Sequence, residues 1–65
     1  MTLAEFLAAL NNPNAVVTVV DDNDSELIKL YAAGYEQLLA ALLEREVDVV
    51  TIVNQAAITL KLKAV

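Results

Sequence analysis

The stretch VDVVTIVNQAAITLKLKAV, Val47 to Val65, decides how this chain folds. Ile58, Leu60, Leu62 and Ala64 alternate with Thr59, Lys61, Lys63 and Val65, the period-two pattern of a strand with one buried and one wet face. Ahead of it, Val47-Asp48-Val49-Val50-Thr51-Ile52-Val53 is β-branched everywhere except Asp48. From Val49 on it is apolar on both faces, as a strand covered on two sides would be. Asn54-Gln55-Ala56 supplies the break for a hairpin loop. A lone hairpin is marginal in water, so further strands or a helix must cover this one.

The upstream chain offers both. Thr2-Leu3-Ala4-Glu5 matches a capping box, with the Thr2 hydroxyl and the Glu5 carboxylate each accepting from the other residue's amide. Leu3, Phe6, Leu7 and Leu10 follow at i, i+3, i+4 and i+7, one apolar helical stripe that Asn11-Asn12-Pro13-Asn14 ends. Val16 to Asp21 and Glu26 to Tyr31 read as the strands of a first hairpin around Asp22-Asn23-Asp24-Ser25. In its second strand Ile28 and Leu30 share one face, and Leu27, Lys29 and Tyr31 the other. Tyr35, Leu38, Leu39 and Leu42 recur at helical spacing within an Ala-rich segment, which predicts a second helix over 35–45. The order is αββαββ in one domain, residues 1–65. Short loops predict an α+β fold, a four-stranded antiparallel sheet with two helices on one face.

Composition narrows what such a domain does. Sixty-five residues build one small core, and with neither cysteine nor histidine there are no disulfides and no thiolate or imidazole metal ligands. A chain this small that is 58% apolar has too little interior for its valines and leucines, which predicts a homo-oligomer, dimer or higher. The expected interface residues are Tyr31, Tyr35, Leu43, Val49, Val50, Ile52 and Val53, because aromatic residues are enriched at interfaces and these valines exceed one chain's capacity to cover. The net charge of −5 argues against general nucleic-acid binding. No apolar run reaches the length of a membrane span and the start lacks a basic signal-peptide flank, so a cytoplasmic protein is expected.

Candidate sites are sparse. Asp21-Asp22-Asn23-Asp24-Ser25-Glu26 opens like a calcium loop but lacks its Gly and distal bidentate Glu; the plainer reading is a solvated turn. Without histidine or cysteine an enzyme is not expected, no cofactor is implied, and Glu44 and Glu46 beside Arg45 read as surface charges. Lys29, Tyr31, Arg45, Lys61 and Lys63 are the cationic and aromatic residues able to converge on an anionic ligand such as a small nucleotide. Alternatively the lysines keep one sheet face soluble and discourage edge pairing. Gly34, between strand and helix, is expected at positive φ.

The residues Met1-Thr2-Leu3-Ala4-Glu5-Phe6-Leu7, Glu26-Leu27-Ile28-Lys29-Leu30-Tyr31-Ala32-Ala33-Gly34-Tyr35 and Leu42-Leu43-Glu44-Arg45-Glu46-Val47 resemble those of short prophage-encoded accessory proteins of Gram-positive gut bacteria. Where those proteins carry acidic residues ahead of the Leu-Leu-x-Arg-Glu-Val segment, this chain has Leu39, Ala40 and Ala41. The resemblance implies a counter-defence protein, located in the cytoplasm of the bacterial host, that binds and blocks a host factor stoichiometrically. Two other functions stay open beside it: an oligomeric sponge for a nucleotide immune signal, and a small virion or assembly component.

Overall fold

A computed structural model describes residues 1–64; Val65, the last position of the terminal alternation, lies outside the described residues. The order is α1 (Leu3–Ala9), β1 (Val16–Val20), β2 (Glu26–Tyr31), a 3-10 helix (Ala32–Gln37), α2 (Ala40–Leu43), β3 (Val47–Asn54) and β4 (Ala57–Leu62). The fold is α+β, with a four-stranded sheet ordered β2-β1-β4-β3.

α1 starts where the capping box places it. The Glu5 amide donates to Thr2 Oγ1 at 3.2 Å, and the Thr2 amide donates to Glu5 Oε1 at 2.9 Å. The Thr2 amide first, and then the Thr2 side chain, hold the Glu5 carboxyl below the usual glutamate range by hydrogen-bonding its charged form. Leu3 and Leu7 are buried, with Phe6 and Leu10 packed beside them.

The sheet corrects the antiparallel expectation. Both hairpins are antiparallel, but β1 and β4 lie side by side in parallel, so the sheet is mixed. Parallel strands need a connection of about a dozen residues or more. Residues 32–46 meet that need by running from the end of β2, at one edge, to the start of β3, at the other. The first hairpin thereby contributes its uncharged strand to the centre, and the second its more regularly alternating one.

The same crossing breaks the predicted second helix. Residues 35–45 divide into the end of the 3-10 helix and the single turn of α2, with Leu38 (φ −72°, ψ 154°) and Leu39 (φ −61°, ψ 140°) extended between them. An extended residue advances the chain about 3.3 Å where a helical one advances about 1.5 Å, so the break lengthens a connection that has the sheet to cross. Tyr35, Leu38 and Leu42 still pack on the core, whereas Leu39, expected in the same stripe, is 79% exposed. Gly34 sits in the 3-10 helix without the positive φ expected of it. The residue that does carry one is Asp24, φ 64°, in the first hairpin loop.

The core forms between the helical layer and one sheet face. Leu3, Leu7, Ala15, Val17, Val19, Ala32, Ile58, Leu60 and Leu62 are its buried members, with Ile28, Leu30 and Val47 against them. In register, one row runs Leu30, Val17, Ile58, Ile52 and the next Ile28, Val19, Leu60, Val50. The cover gives out at the β3 end of these rows, where Ile52 is 71% exposed. From Val49 on, β3 is not the doubly covered strand expected but an exposed edge strand, because beyond Val47 the short helical layer reaches no further than β4. Ala64, expected on the buried face, follows the end of β4 and is exposed.

Candidate functional site

Among the described residues no helix packs on the other face of the sheet, where Val20 is nonetheless buried and most of the rest is half-buried or exposed. Its register rows are Tyr31, Val16, Ala57, Asn54; then Lys29, Thr18, Thr59, Thr51; then Glu26, Val20, Lys61, Val49. Period-two alternation puts these residues opposite the core: while Val17, Val19, Ile58 and Leu60 point to the helices, Val16, Thr18, Thr59 and Lys61 point away. The middle row is three threonines across three strands, flanked by a lysine. Tyr31 is 65% exposed, and Leu27, at the bulge in β2, and Val49 are also exposed. A wholly solvated face has no use for so many apolar and aromatic groups.

The five residues expected to converge on an anion occupy three places. Lys29 and Tyr31 line a shallow depression of about 280 Å³ with Val16 and Leu30, at the β2 edge of the uncovered face. Lys61 shares that face but sits two strands and one row away, roughly 12 Å by sheet spacing. Its ammonium is 3.3 Å from Asp24 Oδ1. Arg45 and Lys63 line a second depression of about 270 Å³ with Glu46 and Ala64, where the Arg45 guanidinium donates to the Lys63 carbonyl at 2.9 Å. Arg45 is thus a tie between the start of β3 and the end of β4, and Lys29 with Tyr31 is the cation and aromatic pair that shares a depression.

The expected interface residues divide similarly. Tyr31, Val49, Val50, Ile52 and Val53 are exposed, whereas Tyr35 packs on the core and Leu43 is half-buried in α2. Thr18, Thr51 and Thr59 were not singled out from the sequence. Their alternation was visible, but only the parallel pairing of β1 with β4 brings them into one row.

The acidic loop is built as a turn. Asp21 Oδ1 accepts from the Asn23 amide at 2.8 Å and the Ser25 amide at 2.9 Å, which occupies that carboxylate with its own loop. Among the described residues, no three His, Cys, Asp or Glu side chains gather to hold a metal, and no helix is long and apolar enough to cross a membrane. Searches of protein-family models, curated proteins and solved structures find no match to this chain.

Proposed function

We propose that this chain is a non-catalytic binding protein, a homo-oligomer that holds a protein partner stoichiometrically against the uncovered face of its sheet. The observation that carries this is the makeup of that face: Tyr31, Leu27 and Val49 stand exposed around the Thr18, Thr59, Thr51 row, although the chain's own core lies on the other side. Exposed aromatic and apolar groups set among short polar ones suit a protein interface. With a net charge of −5, the partner is a basic protein, which long-range attraction would steer into contact. In the prophage setting that the sequence resembles, the partner is a host defence factor, the effect is blockage, and the place is the host cytoplasm.

The test is capture from host lysate by the tagged chain and by a Thr18→Lys, Thr59→Lys variant, with folding of the variant checked by circular dichroism. One protein held at a fixed ratio by the natural chain and lost by the variant supports the reading. Capture of no stoichiometric protein, or equal capture by both chains, refutes it.

A second reading, sequestration of a small nucleotide, is favoured by the depression that Lys29 shares with Tyr31, an ammonium beside an aromatic ring. Ligand binding to the folded state raises the melting temperature by mass action. A rise of several degrees with one member of a panel of cyclic and linear nucleotides supports it, and no rise with any of them removes it.

A further inference from the structure

The outer edge of β3 divides into a closed part and an open part. Thr2 bridges Glu46, the Val47 amide donates to the Met1 carbonyl at 2.9 Å, and the Met1 ammonium pairs with the Glu46 carboxylate at 2.9 Å. From Asp48 to Val53 no backbone group has a partner on the outer side among the described residues. Sheet edges in monomeric proteins are ordinarily blunted by charge, proline or bulges. The β2 edge has Glu26, Lys29 and a bulge, whereas β3 has Asp48 and two register shifts that fall toward its ends. Between its two register shifts, β3 has four regularly paired residues, Val49, Val50, Thr51 and Ile52, with no charge among them.

We propose that this open edge pairs antiparallel with the β3 edge of a second copy, about a two-fold axis at Thr51, to make one eight-stranded sheet. Three observations select a second copy. First, the lengths are self-complementary. With the axis at Thr51, Asp48 faces Asn54 of the partner subunit, so the pairing ends where the partner's strand ends and its turn begins. Glu46 and Val47, already closed by Met1 and Thr2, are left out of the pairing, and the two closures do not compete.

Second, the faces agree. A two-fold axis normal to the sheet keeps both helical layers on one side, and opposed residues then share a face. Val50 meets Ile52 of the partner subunit, and Ile52 meets the partner's Val50. The apolar rows Leu30, Val17, Ile58, Ile52 and Ile28, Val19, Leu60, Val50 thereby run on across the seam and cover the side chains that the helices leave bare. Third, the charges are kept apart. The two Asp48 carboxylates lie about 20 Å from each other along the seam at 3.4 Å per residue, beyond the screening length at physiological salt. An axis at Val50 would set Asp48 against Ile52 of the partner subunit, and one at Ile52 would set Val50 against the partner's Asn54. Thr51 is the position that matches apolar with apolar.

The pairing deepens the homo-oligomer proposed above and rests on it, so the experiment separates the two. Sedimentation equilibrium at micromolar concentration gives the mass, with 7.0 kDa for one chain. Oxidation of a Thr51→Cys variant reports the axis, since directly opposed residues are about 4.5 to 5.5 Å apart at Cα, within disulfide reach. The natural chain has no cysteine to interfere. A Leu27→Cys variant on the opposite edge controls for random collision.

The result expected is twice the single-chain mass, near-complete cross-linking of Thr51→Cys, little of Leu27→Cys, and dimerisation weakened at least tenfold by Ile52→Lys with circular dichroism unchanged. A dimer in which Thr51→Cys cross-links no better than Leu27→Cys overturns the β3 pairing and leaves the oligomer standing. A monomer at that concentration overturns both.

Discussion

Leu60→Ala and Leu39→Ala remove the same three carbons from opposite extremes of this structure. Leu60 has no solvent exposure and lies on an inner strand, with Val19 beside it in the parallel ladder and Val50 in the antiparallel one. Fully buried Leu→Ala changes cost about 2.7 to 5.0 kcal/mol, the larger values going to sites that cannot close over the cavity. An inner strand hydrogen-bonded on both sides is held in place, so the loss belongs near 4 kcal/mol as an order-of-magnitude figure. A domain of this length has about 3 to 10 kcal/mol in total. The melting temperature should fall by roughly 15 to 30 °C, at about 4 to 8 °C per kcal/mol, or the fold should be lost. Leu39, on the extended break of the crossing connection, should change stability by no more than about 0.5 kcal/mol. A continuous helix over 35–45 would instead seat Leu39 in the core stripe, at a cost of about 2 to 5 kcal/mol. Guanidinium unfolding followed by circular dichroism measures both, at one fixed protomer concentration because association shifts apparent stability. Similar losses from the two variants, or a loss below about 1 kcal/mol for Leu60→Ala, would refute this layer arrangement.

Gly34→Ala should stabilise the chain by about 0.4 to 1 kcal/mol in the same unfolding assay, because Gly34 has no positive φ and an added Cβ would meet no atom within 4 Å. Oxidising a Thr18→Cys, Thr59→Cys double variant should give an intramolecular disulfide, since the parallel register makes the two direct neighbours; free thiols after oxidation would contradict that register. Removing the helix cap with Thr2→Ala should cost about 1 kcal/mol, read from the unfolding midpoint. The Glu5 carboxyl titrates lower folded than unfolded, so its contribution is present above the unfolded value of about 4.3 and is lost as pH falls through the lowered folded value. Stability measured from pH 5 down to pH 2 should therefore fall less steeply for Glu5→Gln than for the natural chain.

Much of this fold is readable from local signals, and what is not readable depends on how separate pieces meet. The capping box, the Leu3 to Leu10 stripe and the alternation of Ile58, Leu60 and Leu62 were each legible because neighbours along the chain decide them. The parallel contact of β1 with β4 was not. Both strands of each hairpin are apolar enough to lie inside, and the choice was made by a connection long enough to cross the sheet. That crossing also overrode the helical spacing of Tyr35, Leu38, Leu39 and Leu42, since tertiary demands outweigh propensities of a few tenths of a kcal/mol per residue. From Val49 on, β3 reads as doubly covered but is exposed on both faces; composition shows an apolar excess without showing which strand carries it. The proposed cation cluster dissolved for the same reason. Strand order sets Lys29 two strands from Lys61, which nothing in the spacing of the lysines encodes.

Amide hydrogen exchange across β3, followed as protein concentration is raised, tests the β3 seam most directly. Amides of β3 that face β4 are protected in any state of assembly. Those between Asp48 and Val53 that point outward have no backbone partner among the described residues of one chain. In a dimer joined at Thr51, these outward amides gain protection as concentration rises and lose it in Ile52→Lys, while the protection of β1 and β4 stays constant. Outward amides that exchange as fast at high concentration as at low, in a chain whose inner strands remain protected, would contradict the seam.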